Sequence, residues 1–335
     1  MKNIFLIATL LVSLLLGGHQ SAEAYTWVNK STEIQAGNQA SAQLYSSSYD
    51  DPRIRRIGEY LVSKLPNMGS QIKYKYSFRT IKSEWLNALC YPNGNIYLYS
   101  SLLNYSDAEI AAIIGHELGH AQNEHYLKSL DKKMWHQLGA AALGRAVAKD
   151  NPQIKGLIMQ EAELLVSRGY GFDKEWEADQ HSFNLMTQTN YSLGAGAVIF
   201  SRMRDSYKNI KFSASDNAYN YKFPHPDINE RIKKQLELVN TYTKNILQIH
   251  ENGTVLINGK FIYKEEENPR KAYFNAGSLA REIHDKGLKN ISFKCDNIDG
   301  QTILANGQVF YEGPEISFTL GYLKDAGCNV IDPEP

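Results

Sequence analysis

The sequence predicts an α+β protein in which a helix-dominated region is followed by a smaller mixed region. Apolar residues recur at helical spacing through most of residues 31–243. After residue 245, Asn-Gly and Asp-Gly turn dipeptides separate short apolar runs instead. At 335 residues, the chain can bury a core without help from a metal or a disulfide. We therefore expect two domains, at 25–245 and 246–335.

The N-terminus has the pattern of a signal peptide. Lys2 precedes an apolar run from Ile4 to Leu16, and the small-x-small sequence Ala22–Ala24 follows. The run of about 13 residues is shorter than the roughly 20 that a membrane-spanning helix needs. We predict residues 1–24 as a signal peptide, a mature chain that is soluble and has no transmembrane segment, and a location in the periplasm or outside the cell.

The elements of the first domain follow from its periodicity. The spacing of apolar residues within 31–66 predicts two helical segments, which residues 46–52 separate. Tyr74–Thr80 alternates as a strand does, and Asn87–Leu98 resembles a hairpin around Pro92-Asn93-Gly94. Further helices are expected at 131–168, 174–188, 194–208 and 227–243.

The second domain is predicted from short strands and turns. Thr254–Ile257 and Gln308–Tyr311 are apolar runs beside turn dipeptides, and one helix, Ser278–Lys286, ends at Gly287. No internal repeat is apparent. We expect a small α+β domain, whose role is either to stabilise the first domain or to bind a partner.

Charge and cysteine content limit the choice of partners. The 36 basic and 36 acidic residues balance, and no basic block of the kind that binds nucleic acid or anionic lipid is present. We therefore predict no nucleic-acid partner. Among Cys90, Cys295 and Cys328, the last two are the expected disulfide because both lie in the second domain, with free thiols as the alternative.

The segment HELGH at 116–120 is the strongest indication of function. Ser106 and Glu109 form a capping-box pattern that begins a helix, and apolar residues at helical spacing continue it through the segment. Residues four apart on a helix point the same way, so His116 and His120 can bind one zinc ion while Glu117 acts on water. The alternative is two ordinary helix histidines and a surface glutamate.

A zinc peptidase needs a third protein ligand. His125 lies nine residues after His116, which places it on the opposite face of a continuous helix. Glu175 and Asp179 share one helix face, with Glu177 turned away. Glu175 would bind zinc, and Asp179 would accept the spare ring N–H of a ligand histidine. A solvated acidic helix face is the alternative.

These residues resemble the M48 family of zinc peptidases, and specifically its exported bacterial members. The similarity extends to Glu33–Leu44, to the strand pair Asn87–Leu98 and to His225-Pro226 with Glu230 and Arg231, so that it covers roughly residues 31–240. One departure is the pair Gly171-Phe172, where family members often have Ser-Arg. An ion pair made by that arginine must be absent or supplied elsewhere.

The resemblance implies a minigluzincin-like core with one zinc ion per chain. His116, His120 and Glu175 would be the ligands, and Glu117 the general base. Asn87 and Ala88 precede the edge strand that binds an extended substrate in similar enzymes, although Asn87 could equally begin a turn.

The resemblance also implies that His225 lies near the zinc, either to stabilise the oxyanion or to occupy the open coordination position. A loop residue is the alternative for a histidine before proline.

The sequence as a whole predicts a zinc-dependent endopeptidase that cleaves unfolded or misassembled exported polypeptides. Envelope assembly proteins are possible partners. Two alternatives stay open. One is a latent or chaperone-like envelope protein with a closed zinc site. The other, an integral membrane peptidase, is disfavoured because no apolar segment is long enough to span a membrane.

Overall fold

The structure, a computed structural model, describes residues 30–138, 156, 158, 160, 162, 170–208, 227–296 and 301–331. The predicted signal peptide and His225 lie outside these residues. Within them, helices predominate and the sheets are small, so the coarse α+β prediction is confirmed. No helix in the described ranges is both long and apolar enough to cross a membrane.

Within the described residues, the helices of the first region match the predicted periodicity closely, apart from their ends, whereas most of the helix predicted at 131–168 lies outside those residues. Asp51 caps the second helix by accepting from the Arg53 and Ile54 amides, and the predicted Ser106–Glu109 capping box is present. The helices are α1 (Lys30–Ser47), α2 (Pro52–Val62), α3 (Asp107–Gln122), α4 (His125–Leu138), α5 (Phe172–Thr187), α6 (Ala195–Lys208) and α7 (Ile228–Tyr242).

A three-stranded sheet lies beside α3. Its strands are β1 (Ser77–Ile81), β2 (Ala88–Cys90) and β3 (Asn95–Tyr99), in the order β1-β3-β2. β1 is parallel to β3, and β2 and β3 form the predicted antiparallel hairpin. β2 is therefore an edge strand of this sheet, next to the helix that bears the HELGH segment.

Small residues allow α3 and α5 to pack in close contact. A methyl group added at Gly119 would lie 2.9 Å from the Ala178 Cα, and one at Gly115 would lie 2.7 Å from Ser182 Oγ. Ser182 Oγ also donates to the Ala112 carbonyl at 2.7 Å. This contact sets the distance between the two helices that bear the candidate metal ligands.

We expect Gly119→Ala to destabilise the fold. Glycine-to-alanine changes inside helices ordinarily stabilise by about 1 kcal/mol, but here the methyl group meets backbone atoms of Ala178. Overpacking of this kind costs about 1–3 kcal/mol. Denaturant unfolding measures the stability of Gly119→Ala. The control is Gly321→Ala, because Gly321 is an exposed helical glycine at which an added methyl group meets no atom within 4 Å. Equal stability gains in both variants would contradict this packing account.

Among the described residues after position 245 there are two α-helices rather than the one predicted. The elements are β4 (Leu247–Ile249), β5 (Thr254–Ile257), β6 (Lys260–Lys264), α8 (Pro269–Lys286), β7 (Ser292–Cys295), β8 (Thr302–Ala305), β9 (Gln308–Glu312), α9 (Ile316–Asp325) and β10 (Asn329–Ile331). The strands form two further sheets, with the orders β4-β5-β6 and β10-β7-β8-β9, and β7 and β10 are parallel.

The expectation of no internal repeat is wrong. The β5–β6 hairpin and the β8–β9 hairpin correspond at an offset of 48 residues, with the same pairing register and the same bulge position. Both turn at an Asn-Gly pair with positive φ, Asn258-Gly259 and Asn306-Gly307. The helix after each hairpin packs on the other hairpin, since α8 contacts β9 and α9 contacts β6.

Helix α8 packs directly on the first region. Gly277 and Gly194 are in close backbone contact, and the Leu193 amide donates to the Gly277 carbonyl at 3.2 Å. Arg281 donates to the Met186 and Tyr191 carbonyls at 2.9 and 3.0 Å. One continuous apolar core includes residues from both sides of position 245. The boundary between the two domains stays a prediction.

The expected disulfide between Cys295 and Cys328 is absent, and all three cysteines are free thiols. Pairing of Asn329 with Ser292 places Cys328 next to Ile291 along the β7–β10 ladder. Cys295 is therefore four residues further along, or roughly 13 Å at the rise of a strand. Because bridged cysteines have Cα atoms less than about 7 Å apart, this register prevents the bond.

Candidate metal centre

Three predicted side chains converge between α3 and α5. The Nε2 atoms of His116 and His120 are 3.0 Å apart, and they lie 3.4 and 3.5 Å from the two carboxylate oxygens of Glu175. All three residues are buried, and their potential ligand atoms lie within 4.8 Å of one another. Glu175 is in the first turn of α5, where the helix dipole favours a carboxylate.

A buried ion pair supports this cluster from one side. Asp179 Oδ1 lies 2.8 Å from Nδ1 of His116, and Arg231 on α7 donates to Asp179 through Nε at 2.8 Å and through Nη2 at 2.6 Å. Burial raises the pKa of Asp179, but Arg231 and His116 outweigh it and hold this pKa below its ordinary value. Asp179 is therefore a carboxylate that can accept the ring N–H of His116.

Arg231 is the main site residue to which the sequence assigned no role. It is 3% exposed and its guanidinium also lies 3.9 Å from the centre of the Phe200 ring. The sequence does contain one indication of its role. Arg231 is a charged residue that lies, next to Ile232, in the buried stripe of an amphipathic helix. This chain has Gly171-Phe172 where members of the M48 family often have Ser-Arg, so it lacks an arginine at that position. Arg231 makes an ion pair with Asp179 instead.

The predicted position of His125 on the far side of the helix is wrong. α3 ends at Gln122, and Glu124 has a φ of 54°, so α4 begins at His125 in a new direction. This turn brings His125 Nδ1 to 2.8 Å from His120 Nδ1, and His125 Nε2 to 3.0 Å from Glu177 Oε2. His125 contacts the outer nitrogen of His120 and is not part of the three-residue cluster.

Glu117 lies beside the cluster and lines a narrow cleft of about 50 Å³. Burial raises the pKa of Glu117 to about 7, although His116 acts to lower it. The Cys90 backbone also acts to lower this pKa. A carboxyl group with a pKa near neutrality can both accept and release a proton.

The predicted substrate-binding residues line the same cleft. Asn87 and Ala88 border it together with His116 and Glu117. The Asn87 side chain accepts from the Ala88 amide at 2.9 Å. The Asn87 side chain thus occupies one backbone donor of the edge strand β2.

The chemistry of the cluster suits a divalent cation. The Nε2 atoms of His116 and His120, 3.0 Å apart, can both bind one cation when neither carries a hydrogen. Burial lowers the pKa of His116, but hydrogen bonds to Asp179 and Glu175 outweigh it and raise this pKa to about 9. The surroundings therefore favour positive charge, and two imidazoles with one carboxylate are a ligand set that zinc prefers.

Comparison with known proteins agrees with this geometry. The sequence profile of Peptidase family M48 matches residues 48–239, which include the three clustered residues, Glu117, Asp179 and Arg231. The profile match leaves out all of α1 and the region that contains the duplicated hairpins.

Several characterised proteins are similar to this chain over part of its length. The mitochondrial metalloendopeptidase OMA1 of Arabidopsis thaliana is 29% identical over 35% of this chain and 24% of its own length. Metalloprotease LoiP of Escherichia coli (strain K12) is 26% identical over 57% of this chain and 76% of its own length. The beta-barrel assembly-enhancing protease of the same strain is 26% identical over 52% of this chain and 38% of its own length.

The matches therefore span from about a quarter to about three quarters of these relatives. The family profile, in contrast, covers more than half of this chain. The fold around the HELGH helix and the profile match lead to the same assignment. The chain belongs to peptidase family M48.

Proposed function

We propose that this protein is a zinc-dependent endopeptidase that hydrolyses peptide bonds in exported polypeptides. The convergence of His116, His120 and Glu175 beside a buried Glu117 is the observation that carries this proposal. These three residues would be the zinc ligands, with one ion per chain. Asp179 would orient His116 through its ring N–H, and Arg231 would hold Asp179 in position.

Glu117 would act as the proton carrier of the reaction. Zinc, when bound, would lower the pKa of water and polarise the carbonyl of the scissile bond. Glu117 would then take a proton from the attacking water and later donate it to the leaving amine. Its position one residue after His116, inside the same cleft, supports this role.

An extended substrate would bind along β2. This strand is at a sheet edge, and Asn87 and Ala88 border the cleft that contains Glu117. A peptide that added to this edge would replace the Asn87 side chain as partner of the Ala88 amide.

The remaining assignments rest on the resemblance and on the relatives. His225 would stabilise the oxyanion near the zinc. Residues 1–24 would direct export, and the periplasm is the proposed location. One relative is named for enhancing β-barrel assembly, which supports unfolded or misassembled envelope proteins as substrates and assembly proteins as partners. Residues 246–335 would stabilise the peptidase region through α8.

The test uses the chain without its first 24 residues. Metal analysis should find one zinc ion per chain, and the protein should cleave an unfolded casein-like substrate. A zinc chelator should abolish cleavage, and added zinc should restore it. Undiminished cleavage by protein shown to be free of metal would overturn the proposal.

A further inference from the structure

The outer nitrogen of His120 is connected to the protein surface by two further side chains. His120 Nδ1 lies 2.8 Å from His125 Nδ1, and His125 Nε2 lies 3.0 Å from Glu177 Oε2. His120 and His125 are buried, whereas the Glu177 side chain is 54% exposed. The three groups form a continuous chain from the candidate metal centre to solvent.

The positions of the hydrogens in this chain follow from one requirement. Zinc binds the lone pair of an imidazole nitrogen, and His120 presents Nε2 to His116 and Glu175. A neutral His120 with an unprotonated Nε2 has its hydrogen on Nδ1. His125 Nδ1 must then accept this hydrogen, so His125 carries its own hydrogen on Nε2 and donates it to Glu177.

We propose that His125 and Glu177 are positioning residues that fix the zinc-binding tautomer of His120 and increase its affinity for the metal. The inference rests on the proposed function, because it assumes that His120 binds zinc. Neither residue would contact the metal or the substrate. Glu177 would act only through His125, by placing a negative charge at the end of the chain.

This arrangement differs from the support of the other histidine. His116 Nδ1 faces a buried carboxylate, Asp179, whose charge is paired with Arg231. His120 Nδ1 faces a second imidazole, whose carboxylate partner is half exposed. The Tyr170 ring packs against His120, 4.8 Å between ring centres, and helps to hold the imidazole in this orientation. Each candidate ligand histidine thus has its own carboxylate, one direct and one through His125.

The experiment measures zinc affinity by competition with a chelator, in the chain without its first 24 residues. His125→Leu removes the acceptor and should weaken zinc binding by about 10–100-fold. His125→Gln restores an acceptor oxygen and should recover most of this loss. Glu177→Leu should weaken binding by a smaller factor, and Glu177→Gln, which keeps an acceptor, by less still.

Two control variants separate this role from a general effect on folding. His284→Leu and Glu237→Leu change an exposed histidine and an exposed glutamate that have no contact with the cluster. Both should bind zinc as the parent does. Thermal unfolding of the metal-free proteins shows whether any loss of affinity merely follows a loss of stability.

Nuclear magnetic resonance of the histidine rings gives a second readout. In the zinc-loaded parent, His120 should be protonated at Nδ1, and His125 at Nε2 only. Parent-like zinc affinity in His125→Leu, or a hydrogen on Nδ1 of His125, would overturn the inference. If the parent itself binds no zinc, the proposed function fails instead, so the two failures are distinguishable.

Discussion

Glu117→Gln is expected to abolish peptide hydrolysis while the protein keeps its zinc. The amide has the size and shape of the carboxyl group, but it cannot accept a proton from water or return one to the leaving amine. Loss of a general acid–base group lowers rates by about 100- to 10,000-fold. Because Glu117 is not among the three clustered residues, the zinc content should stay at one ion per chain.

Cleavage of a casein-like substrate and metal analysis on the same samples make this measurement. Glu237→Gln, which changes an exposed glutamate of α7, is the control and should retain the parent rate. Cleavage by Glu117→Gln at the parent rate would show that another group activates the water. Loss of zinc together with activity would instead make Glu117 a ligand, which the proposed arrangement does not allow.

Arg231→Met is expected to have the largest effect on stability. Arg231 and the Asp179 carboxylate are both nearly inaccessible to solvent, and two hydrogen bonds join them. Removal of one member of a buried ion pair costs about 3–5 kcal/mol, because the other charge loses its partner while it stays buried. His116 would lose the fixed acceptor of its ring N–H, so zinc affinity should fall as well.

Urea unfolding of the metal-free protein measures the stability, and competition with a chelator measures the zinc affinity. Lys233→Met on the same helix removes an exposed charge, and the free energy of unfolding should change by less than about 0.5 kcal/mol. Arg231→Met combined with Asp179→Asn should recover part of the lost stability, since no unpaired charge is then buried. If Arg231→Met alone were as stable as Lys233→Met, this account of the ion pair would be contradicted.

The three clustered residues could be predicted because their spacing is a property of single helices. The capping box and the apolar stripe place His116 and His120 on one face of α3, and Glu175 and Asp179 fall on one face of α5 by the same rule. The close approach of these helices could not be predicted in this way. It depends on Gly119 meeting Ala178, which neither segment shows by itself.

His125 and Arg231 show why the rest of the site required the structure. The prediction for His125 assumed a continuous helix, but a single residue with positive φ, Glu124, redirects the chain. Glutamate rarely adopts a positive φ, so the residue type at position 124 did not indicate that the helix ends there. Arg231 is 52 residues from Asp179 in the chain, and only tertiary packing brings the two together.

The duplicated hairpins were not predicted because their sequences have diverged while their geometry has not. Residues 254–265 and 302–313 share a threonine, a leucine, the Asn-Gly turn and a tyrosine at corresponding positions. Positive φ at both residues of each turn requires Asn-Gly-like pairs. The other positions need only an apolar or a polar side chain, so they vary without changing the register.

X-ray absorption at the zinc edge tests the central claim of an open, three-residue metal site most directly. For the zinc-loaded parent, the account predicts two imidazole nitrogens and one carboxylate as protein ligands, with an oxygen from solvent in the remaining position. Glu175→Ala should remove the carboxylate and lower zinc affinity. A sulfur ligand, or a third imidazole bound in the parent, would contradict the account. The third imidazole would indicate instead a closed site that holds the peptidase in a latent form.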